Sequence, residues 1–217
     1  MPLRRIPLVT GEYYHLLNRG TGGIPIFQNK RDYERFVLSL IFYQTPSPPM
    51  RFAVFLIQSI QKRKEILRSI ITSSQNQVEI IAYCLLPNHF HLLLKQTKEG
   101  GIETFLRWAT NSYSRYFNTK YQRRGTLFEG RFKAIRVETD EQMLHLSRYI
   151  HLNPYSSYIV KTLNQLETYP YSSLPEYLQR KSEEICHKEI ILSQFKTIED
   201  YKNFVFNQAD YQRKLER

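Results

Sequence analysis

Four runs of apolar residues have the length and composition of β-strands. The first, residues 13–19 (YYHLLNR), lies between two glycines and is rich in aromatic and aliphatic side chains. Residues 78–86 (VEIIAYCLL) are almost continuously apolar, which is typical of a buried strand. Residues 89–95 follow a Pro-Asn turn, and they are predicted to continue the strand at 78–86 or to form its hairpin partner. Residues 131–137 (RFKAIRV) alternate enough to predict another strand.

Two helices are predicted between the first strand and the second. Asn29 can cap a helix that runs to about Tyr43, where the proline-rich segment 45–49 stops it. Residues 51–73 predict a single helix whose first turns are apolar and whose later turns are basic. This second helix could be a packed element, an arm to another subunit or a DNA-contacting face, and the pattern does not choose between them.

Two further helices are predicted after the third strand. Residues 102–121 carry apolar side chains at three- and four-residue spacing and predict the longest helix. The last helix starts at Thr139-Asp140-Glu141, with Thr139 or Asp140 as its cap and acidic residues in its first turn. It is expected to end at about Leu152, because Pro154 disfavours helical backbone in the residue before it.

A His-x-His pair lies at the start of the 89–95 strand. His89 and His91 should point to the same side of the strand and Phe90 to the other, because strand side chains alternate. Two imidazoles about 6–7 Å apart along a strand can reach one metal ion. Such a pair also arises by chance, so it is a weak signal when taken alone.

Three polar residues share one face of the last helix. His145, Tyr149 and Asn153 are spaced by four residues. A tyrosine can attack a phosphodiester if a neighbouring base or cation activates its phenol, and a divalent metal would offset the charge of the phosphate. Each residue also has a simpler explanation: His145 as an exposed helical histidine, Tyr149 as an amphipathic surface residue, and Asn153 as a helix end before proline.

The charge balance points to a polyanionic partner. The 217 residues include 31 Lys and Arg against 20 Asp and Glu, a formal net charge of +11. Nucleic acid is the simplest such partner, although a merely basic protein has the same balance. Basic residues mixed with aromatic ones follow the longest helix and are candidates for phosphate contacts, with a solvated surface as the alternative for each: Arg115, Arg123, Arg124, Arg131 and Lys133.

Cysteine usage and hydropathy indicate an intracellular protein. Cys84 and Cys186 form no disulfide framework and no Cys-rich zinc site, which fits a reducing interior. Residues 1–14 contain no apolar stretch of the kind a secretory signal needs. The most apolar stretch, Phe36–Tyr43, is too short to span a bilayer. We expect no membrane association and a cytoplasmic, nucleoid-associated location.

Several short motifs occur in an order that is typical of one family. They extend over about residues 11–175 and comprise Tyr14-His15, Asn18-Arg19-Gly20, Ala82-Tyr83-Cys84-Leu85-Leu86-Pro87-Asn88-His89-Phe90-His91, Tyr116-Phe117-Asn118, Gly125-Thr126-Leu127-Phe128-Glu129-Gly130-Arg131-Phe132-Lys133-Ala134 and Arg148-Tyr149-Ile150-His151-Leu152-Asn153-Pro154. In these motifs the chain resembles the single-tyrosine HUH transposases, in the branch associated with repetitive extragenic palindromes (REP).

The resemblance implies a fold and a set of residue roles. The fold is α+β, a ferredoxin-like antiparallel sheet with helices packed on one face, plus extra helices. His89 and His91 would be metal ligands on a central strand, and Tyr149 would be the nucleophile on a facing helix. Asn153 would take the place of a third ligand. The implied metal is Mg²⁺ or Mn²⁺, although imidazole also suits other divalent ions.

The implied activity is metal-dependent cleavage and rejoining of single-stranded or hairpin DNA through a 5′-phosphotyrosine. Two alternatives stay open: a non-catalytic protein that binds palindromic DNA, and a nuclease that acts on RNA hairpins. A homodimer is possible, with the tyrosine acting within its own chain or on the partner. Residues 1–175 are expected to form the transposase domain, with an unusually long connection at 44–77, and residues 176–217 a helical accessory segment.

Overall fold

A four-stranded antiparallel sheet forms the centre of the computed structural model, which describes residues 7–181 and 184–215. The order across the sheet is β2-β3-β1-β4. With helices between β1 and β2 and between β3 and β4, this is a ferredoxin-like arrangement, and the predicted α+β class is confirmed. The strands are β1 (Tyr13–Arg19), β2 (Val78–Leu86), β3 (His89–Gln96) and β4 (Lys133–Val137).

The described residues also form ten α-helices. None of them has the length and apolar character that crossing a membrane requires. The helices are α1 (Lys30–Phe42), α2 (Phe52–Leu56), α3 (Ile60–Ile71), α4 (Gly101–Lys120), α5 (Asp140–Ser156), α6 (Leu163–Glu167), α7 (Leu174–Tyr177), α8 (Glu189–Leu192), α9 (Ile198–Phe206) and α10 (Ala209–Leu215).

The two long helices α1 and α4 cover one face of the sheet. Alternation along β3 turns Phe90 to this face and the two histidines to the other. The ring of Phe36 in α1 lies 5.2 Å from that of Phe90 and 5.0 Å from that of Tyr113 in α4. All three rings are fully buried, so this aromatic layer holds both helices on the sheet.

Helix α5 covers the opposite face, so the extra helices expected from the sequence give the sheet a second layer. Buried His151 fixes α5 in place: its Nδ1 is 2.7 Å from the Tyr201 hydroxyl in α9, and its Nε2 is 2.7 Å from the Ser173 hydroxyl. Burial lowers the pKa of His151 to about 3, so the ring is neutral in the folded protein.

The predicted strands are confirmed to within two residues at their ends. β3 is the hairpin partner of β2 rather than its continuation, because Leu86 pairs with His89 across the two-residue turn. The backbone carbonyl of Pro87 in that turn accepts N–H groups of Ile26 (2.7 Å) and Phe27 (2.9 Å). The turn that starts the histidine strand is therefore held by the rest of the fold.

The single helix predicted for residues 51–73 is wrong, because the segment forms two helices. Ser59 lies between α2 and α3, and its side chain accepts the N–H of Lys62 at 3.2 Å as a helix cap. The apolar spacing is continuous across the break because both helices bury side chains in the same small cluster. That cluster comprises Phe42, Phe52, Phe55, Ile66 and Ile70.

Two predicted details of the helix ends are also corrected. α5 does not end at Leu152 but continues through Pro154 to Ser156. Proline has no N–H to donate, yet residues 150–156 are all buried, and packing outweighs the missing bond. Asn29 does precede α1, but its side chain does not cap the helix and donates instead to the Tyr121 hydroxyl at 2.7 Å.

The C-terminal helices pack around α5. Gln212 Nε2 in α10 donates to the Tyr149 carbonyl at 3.1 Å, and the Tyr155 hydroxyl donates to Asp210 at 2.9 Å. The segment predicted to be accessory, residues 176–217, includes α8, α9 and α10 among its described residues, and α9 and α10 contact α5. Residues 1–6, which belong to the N-terminal stretch judged to lack a secretory signal, lie outside the described residues.

Candidate active site

His89 and His91 lie next to each other on the sheet face that α5 covers. Their ring centroids are 5.0 Å apart and the ring planes are nearly perpendicular. His91, in the middle of the sheet, is 5 % exposed, whereas His89, next to the turn, is half-buried. The pair therefore extends from the interior to the open end of β3.

Each of the two histidines uses Nδ1 in a hydrogen bond. His89 Nδ1 donates to Asn88 Oδ1 at 2.7 Å, since an amide oxygen only accepts. His91 Nδ1 lies 2.9 Å from His15 Nε2, so one of these nitrogens donates to the other. In both rings Nε2 is the nitrogen left to bind a further group, which is how protein partners orient metal-binding histidines.

His15 on β1 is a third histidine in this cluster, and sequence reasoning did not select it. It is 8 % exposed, and its ring stacks on that of His91 with centroids 5.1 Å apart. The two side chains meet because β1 pairs with β3, with Leu17 directly opposite His91. The prediction of a strand at 13–19 was correct, but the sequence pattern does not tell which strand lies beside it.

Burial keeps the three histidines uncharged. It lowers the pKa of His15 to about 4. Burial first, and then the proximity of His15 and His89, holds the pKa of His91 well below its usual value. The pKa of His89 is lowered by burial and by the positive charge of Arg19. At neutral pH all three rings are neutral, and neutral imidazole is the form that binds a metal ion.

Tyr149 on α5 faces the histidine cluster of its own chain. Its ring centroid is 5.6 Å from that of His91 and 6.1 Å from that of His15, with an edge-on orientation in both cases. The Thr139 side chain caps α5 by accepting the N–H of Gln142 at 3.1 Å, as predicted. The cap and the buried His151 together fix the position of Tyr149 along the sheet.

Asn153 lies one helical turn after Tyr149 and is 2 % exposed. Its Nδ2 donates to the Tyr149 carbonyl at 2.8 Å, which leaves Oδ1 as the atom that could bind a cation. No group of three or more His, Cys, Asp or Glu in residues 7–181 and 184–215 is arranged to hold a metal ion. A metal here would therefore take two histidines together with neutral oxygen ligands.

His145 is not part of this cluster. It is exposed near the start of α5, where its Nε2 is 3.7 Å from a Glu141 carboxylate oxygen. Its Nδ1 is 2.6 Å from a guanidinium nitrogen of Arg148, and its ring contacts Phe204 in α9. Four-residue spacing predicts the same helix face as Tyr149, but the contacts of His145 are with Glu141, Arg148 and Phe204 and not with the histidine cluster.

Arg19 is a second residue that sequence reasoning did not select. It pairs directly with His89 across β1 and β3, so its side chain points to the histidine face. Its guanidinium forms an exposed ion pair with Glu129. The open end of the site therefore carries a cation that is held in place by a neighbouring carboxylate.

The five predicted phosphate-binding residues are not all near the histidines. Lys133 on β4 pairs with Leu17, which pairs with His91, so it lies two strands from His91 on the same face. Arg123 and Arg124 belong to the loop before β4, where Arg123 donates to the Thr126 carbonyl at 2.8 Å. Arg131 is exposed in the same loop. Arg115 is on α4, across the sheet from the histidines.

The fold and the site together define a class: a ferredoxin-like sheet with a histidine pair and a tyrosine from a helix that packs over it. Residues 47–153 match the family described as "Transposase IS200 like". This match includes both histidines, Tyr149 and Asn153, but not His15. A search of curated proteins found no match.

A solved structure titled "Structure of the REP associates tyrosine transposase bound to a REP hairpin" has a similar fold. The TM-score is 0.53 at 16 % sequence identity, over 85 % of this chain and 90 % of that chain. These findings agree with the family that the sequence resembles: residues 47–153 match the IS200-like transposase family, and the chain has the fold of a REP-associated tyrosine transposase.

Proposed function

We propose that the protein is a metal-dependent transposase and endonuclease for single-stranded DNA, which cleaves and rejoins hairpin DNA through a 5′-phosphotyrosine on Tyr149. The observation that carries this proposal is the position of Tyr149, with its ring 5.6 Å from that of His91. The family match agrees with it, because residues 47–153 contain the nucleophile and the histidine pair.

We propose that Nε2 of His89, Nε2 of His91 and Oδ1 of Asn153 hold Mg²⁺ or Mn²⁺. The donor set fits such an ion because the two rings are neutral and already fixed through their Nδ1 atoms. A divalent ion here would offset the negative charge on the oxygens of the scissile phosphate. With only three protein ligands, coordination positions stay open for phosphate oxygens and water.

The chemical step follows from the position of the phenol. Tyr149 Oη forms a bond to phosphorus, and the bond from phosphorus to the 3′ oxygen breaks. The phenol loses a proton and the 3′ oxygen gains one, which gives a 5′-phosphotyrosine and a free 3′-hydroxyl. Attack of a 3′-hydroxyl on the phosphotyrosine reverses the step and joins ends without nucleotide hydrolysis.

The proposed substrate is a DNA hairpin with single-stranded flanks. The structurally similar REP-associated transposase is described as bound to a REP hairpin, which supports the same class of ligand here. The net charge of +11 favours such a polyanion. Arg19 and Lys133 lie on the histidine face. We propose that they contact phosphates near the cut. We place the activity in the cytoplasm, at the chromosome.

A covalent-adduct assay tests the proposal. A labelled single-stranded hairpin from the flanks of the gene is incubated with Mn²⁺, with Mg²⁺ or with chelator, and SDS-resistant protein–DNA adduct is measured. We expect an adduct that requires metal and disappears in Tyr149→Phe. Tyr211→Phe is the matched control, because Tyr211 is 62 % exposed on α10, and it should form as much adduct as wild type.

The same assay separates the alternatives. Tight hairpin binding without adduct under any metal would overturn the proposal in favour of a non-catalytic DNA-binding protein. Faster reaction on an RNA hairpin of the same sequence would favour an RNA nuclease, because the 2′-hydroxyl changes both binding and chemistry.

A further inference from the structure

A large groove lies between α1, α2 and α4. Its volume is about 1020 Å³, at the upper end of the range for small-molecule pockets, so it can hold several linked groups. Arg51 and Phe52 of the 44–77 segment form one wall, and Trp108 and Arg115 of α4 form the other. We call this the α1–α4 groove.

The α1–α4 groove is separate from the candidate active site. α1 and α4 pack on the Phe90 face of the sheet, whereas His89 and His91 point from the opposite face. Nucleotides bound in the groove are therefore not the nucleotides that meet Tyr149. The groove also depends on the 44–77 segment, which is longer than the resemblance to the family would suggest.

The groove carries positive charge of which only one cation, Lys120, is paired with a carboxylate among the described residues. Its lining includes no Asp or Glu among the residues that the structure describes. Arg31, Arg35, Arg51 and Arg115 form no ion pair within that part of the chain, and only Lys120 has one, with Asp32 beneath it. Such a cluster of unpaired cations favours an anion.

Arg35 gives a second, independent indication of a ligand. Its Nε is buried and has no hydrogen-bond partner among the described residues. The guanidinium lies 4.3 Å from the centre of the Tyr116 ring, which holds it flat against α4. A buried N–H without a partner costs free energy, and a phosphate oxygen would satisfy it.

Aromatic rings alternate with these cations. Trp108 and Tyr43 are half-buried in the groove wall, and their ring centroids are 5.9 Å apart. Half-exposed aromatic rings between arginines are the combination on which unpaired bases stack while phosphates are neutralised. A duplex exposes no base faces, so the rings favour a single strand.

We infer that the α1–α4 groove binds a short segment of single-stranded DNA, with phosphates on Arg35, Arg51 and Arg115 and bases against Trp108 and Tyr43. This inference rests on the proposed function for the choice of DNA as the nucleic acid. It adds a second contact on the far side of the sheet, for unpaired nucleotides that flank the hairpin or belong to another strand.

Trp108 reports directly on the groove because it is the only tryptophan in the chain. The probe is an eight-residue oligothymidine, titrated into the full-length protein in the presence of chelator. We expect saturable quenching of tryptophan fluorescence. The variant Arg35→Gln/Arg51→Gln/Arg115→Gln should weaken binding at least tenfold and should reduce the slope of log K against log salt by about 2, at about 0.7 per phosphate contact.

A matched triple variant loses the same charge elsewhere. Lys64→Gln/Arg68→Gln/Lys196→Gln changes three exposed cations outside the groove and should bind almost as wild type. Circular dichroism and thermal unfolding check that both triple variants are folded. The inference is overturned if quenching is absent, if both triple variants lose affinity equally, or if oligouridine or polyglutamate binds as tightly as oligothymidine.

The fluorescence titration tests the groove independently of catalysis at Tyr149. Tyr149→Phe should show the same quenching as wild type, because Tyr149 is across the sheet from Trp108. Quenching without any covalent adduct would leave the groove assignment standing and overturn the proposed chemistry. Metal-dependent adduct without quenching would overturn the groove assignment and leave the proposed chemistry standing.

Discussion

The hydrogen bond between His15 and His91 is the contact that most constrains the candidate metal site at the scale of single residues. It fixes the ring of His91 through Nδ1 at 2.9 Å, while Asn88 fixes His89 at 2.7 Å. Both bonds occupy Nδ1, leave Nε2 as the nitrogen that could bind a metal, and are made by residues that would not touch the metal themselves. We therefore assign His15 a positioning role.

Replacing His15 tests that role. His15→Leu removes the partner of His91 Nδ1, and we expect Mn²⁺ affinity to fall by about 10-fold or more, as for other partners of metal ligands. Titration calorimetry measures the affinity without any DNA. His15→Gln can still hydrogen-bond and should recover part of the loss; equal affinity in all three proteins would contradict the assignment.

Sequence reasoning found the residues whose relation is local. Alternation along β3 correctly placed His89 and His91 on one face, and four-residue spacing placed Tyr149 and Asn153 on one side of α5. His15 and Arg19 were missed because they reach the site through the pairing of β1 with β3, which are far apart in the chain: His15 and His91 are separated by 76 residues. His145 has the right spacing, but it is exposed and contacts Phe204 of α9 instead of the histidine cluster.

Contacts between elements explain where the predicted helices were right and wrong. The prediction of a single helix at 51–73 came from apolar spacing that continues through the segment. The spacing is continuous because α2 and α3 bury side chains in one cluster. The early end of α5 was predicted from Pro154, whose local preference is outweighed by the burial around it. In both cases the helix boundaries depend on packing with other elements, which the local sequence pattern does not reveal.

Asp32 joins α1 to the end of α4. It is fully buried, and its carboxylate accepts hydrogen bonds from Lys120 (2.6 Å), Tyr121 (2.7 Å), Tyr116 (2.8 Å) and the Gln28 N–H (2.9 Å). Burial acts to raise the pKa of Asp32, but these hydrogen bonds outweigh it, and the pKa is lowered overall. The ionised carboxylate is thus favoured by the fold.

The lowered pKa of Asp32 makes the stability of the fold depend on pH. Because the folded-state pKa of Asp32 lies below the unfolded value, its stabilising effect is complete above the unfolded pKa and is lost as the pH falls through the folded pKa. Asp32→Asn should therefore lower the free energy of unfolding at pH 7 by about 3 kcal/mol, as for a broken buried ion pair.

Urea unfolding at pH 7 and at pH 3 measures this difference. The difference in unfolding free energy between Asp32→Asn and wild type should be large at pH 7 and smaller at pH 3, because at pH 3 the carboxylate of the unfolded wild-type chain is mostly protonated. A gap of the same size at both values would mean that the carboxylate charge is not what the cluster stabilises.

For the whole molecule, the central feature is that one chain contains the complete candidate site. α5 lies on its own sheet and brings Tyr149 to the histidines without a second subunit. The C-terminal helices hold α5 there, through Gln212 on the Tyr149 carbonyl and Tyr201 on His151. We therefore propose that the tyrosine acts within its own chain, whether or not the protein forms a dimer.

Mixing two inactive variants tests this arrangement. His89→Ala lacks a candidate metal ligand, and Tyr149→Phe lacks the nucleophile. If each site is built from one chain, a mixture of the two proteins should form no adduct above background, even after incubation that allows subunits to exchange. Adduct formation by the mixture would show that Tyr149 acts on the histidines of a partner.

The most direct test of the central claim is to identify the residue that becomes bound to DNA. The adduct formed on a labelled hairpin with Mn²⁺ is digested with protease and nuclease, and the modified peptide is sequenced by mass spectrometry. We expect a nucleotide attached through its 5′ phosphate to Tyr149. A nucleotide on any other residue, or a hairpin cut without a covalent intermediate, would contradict it.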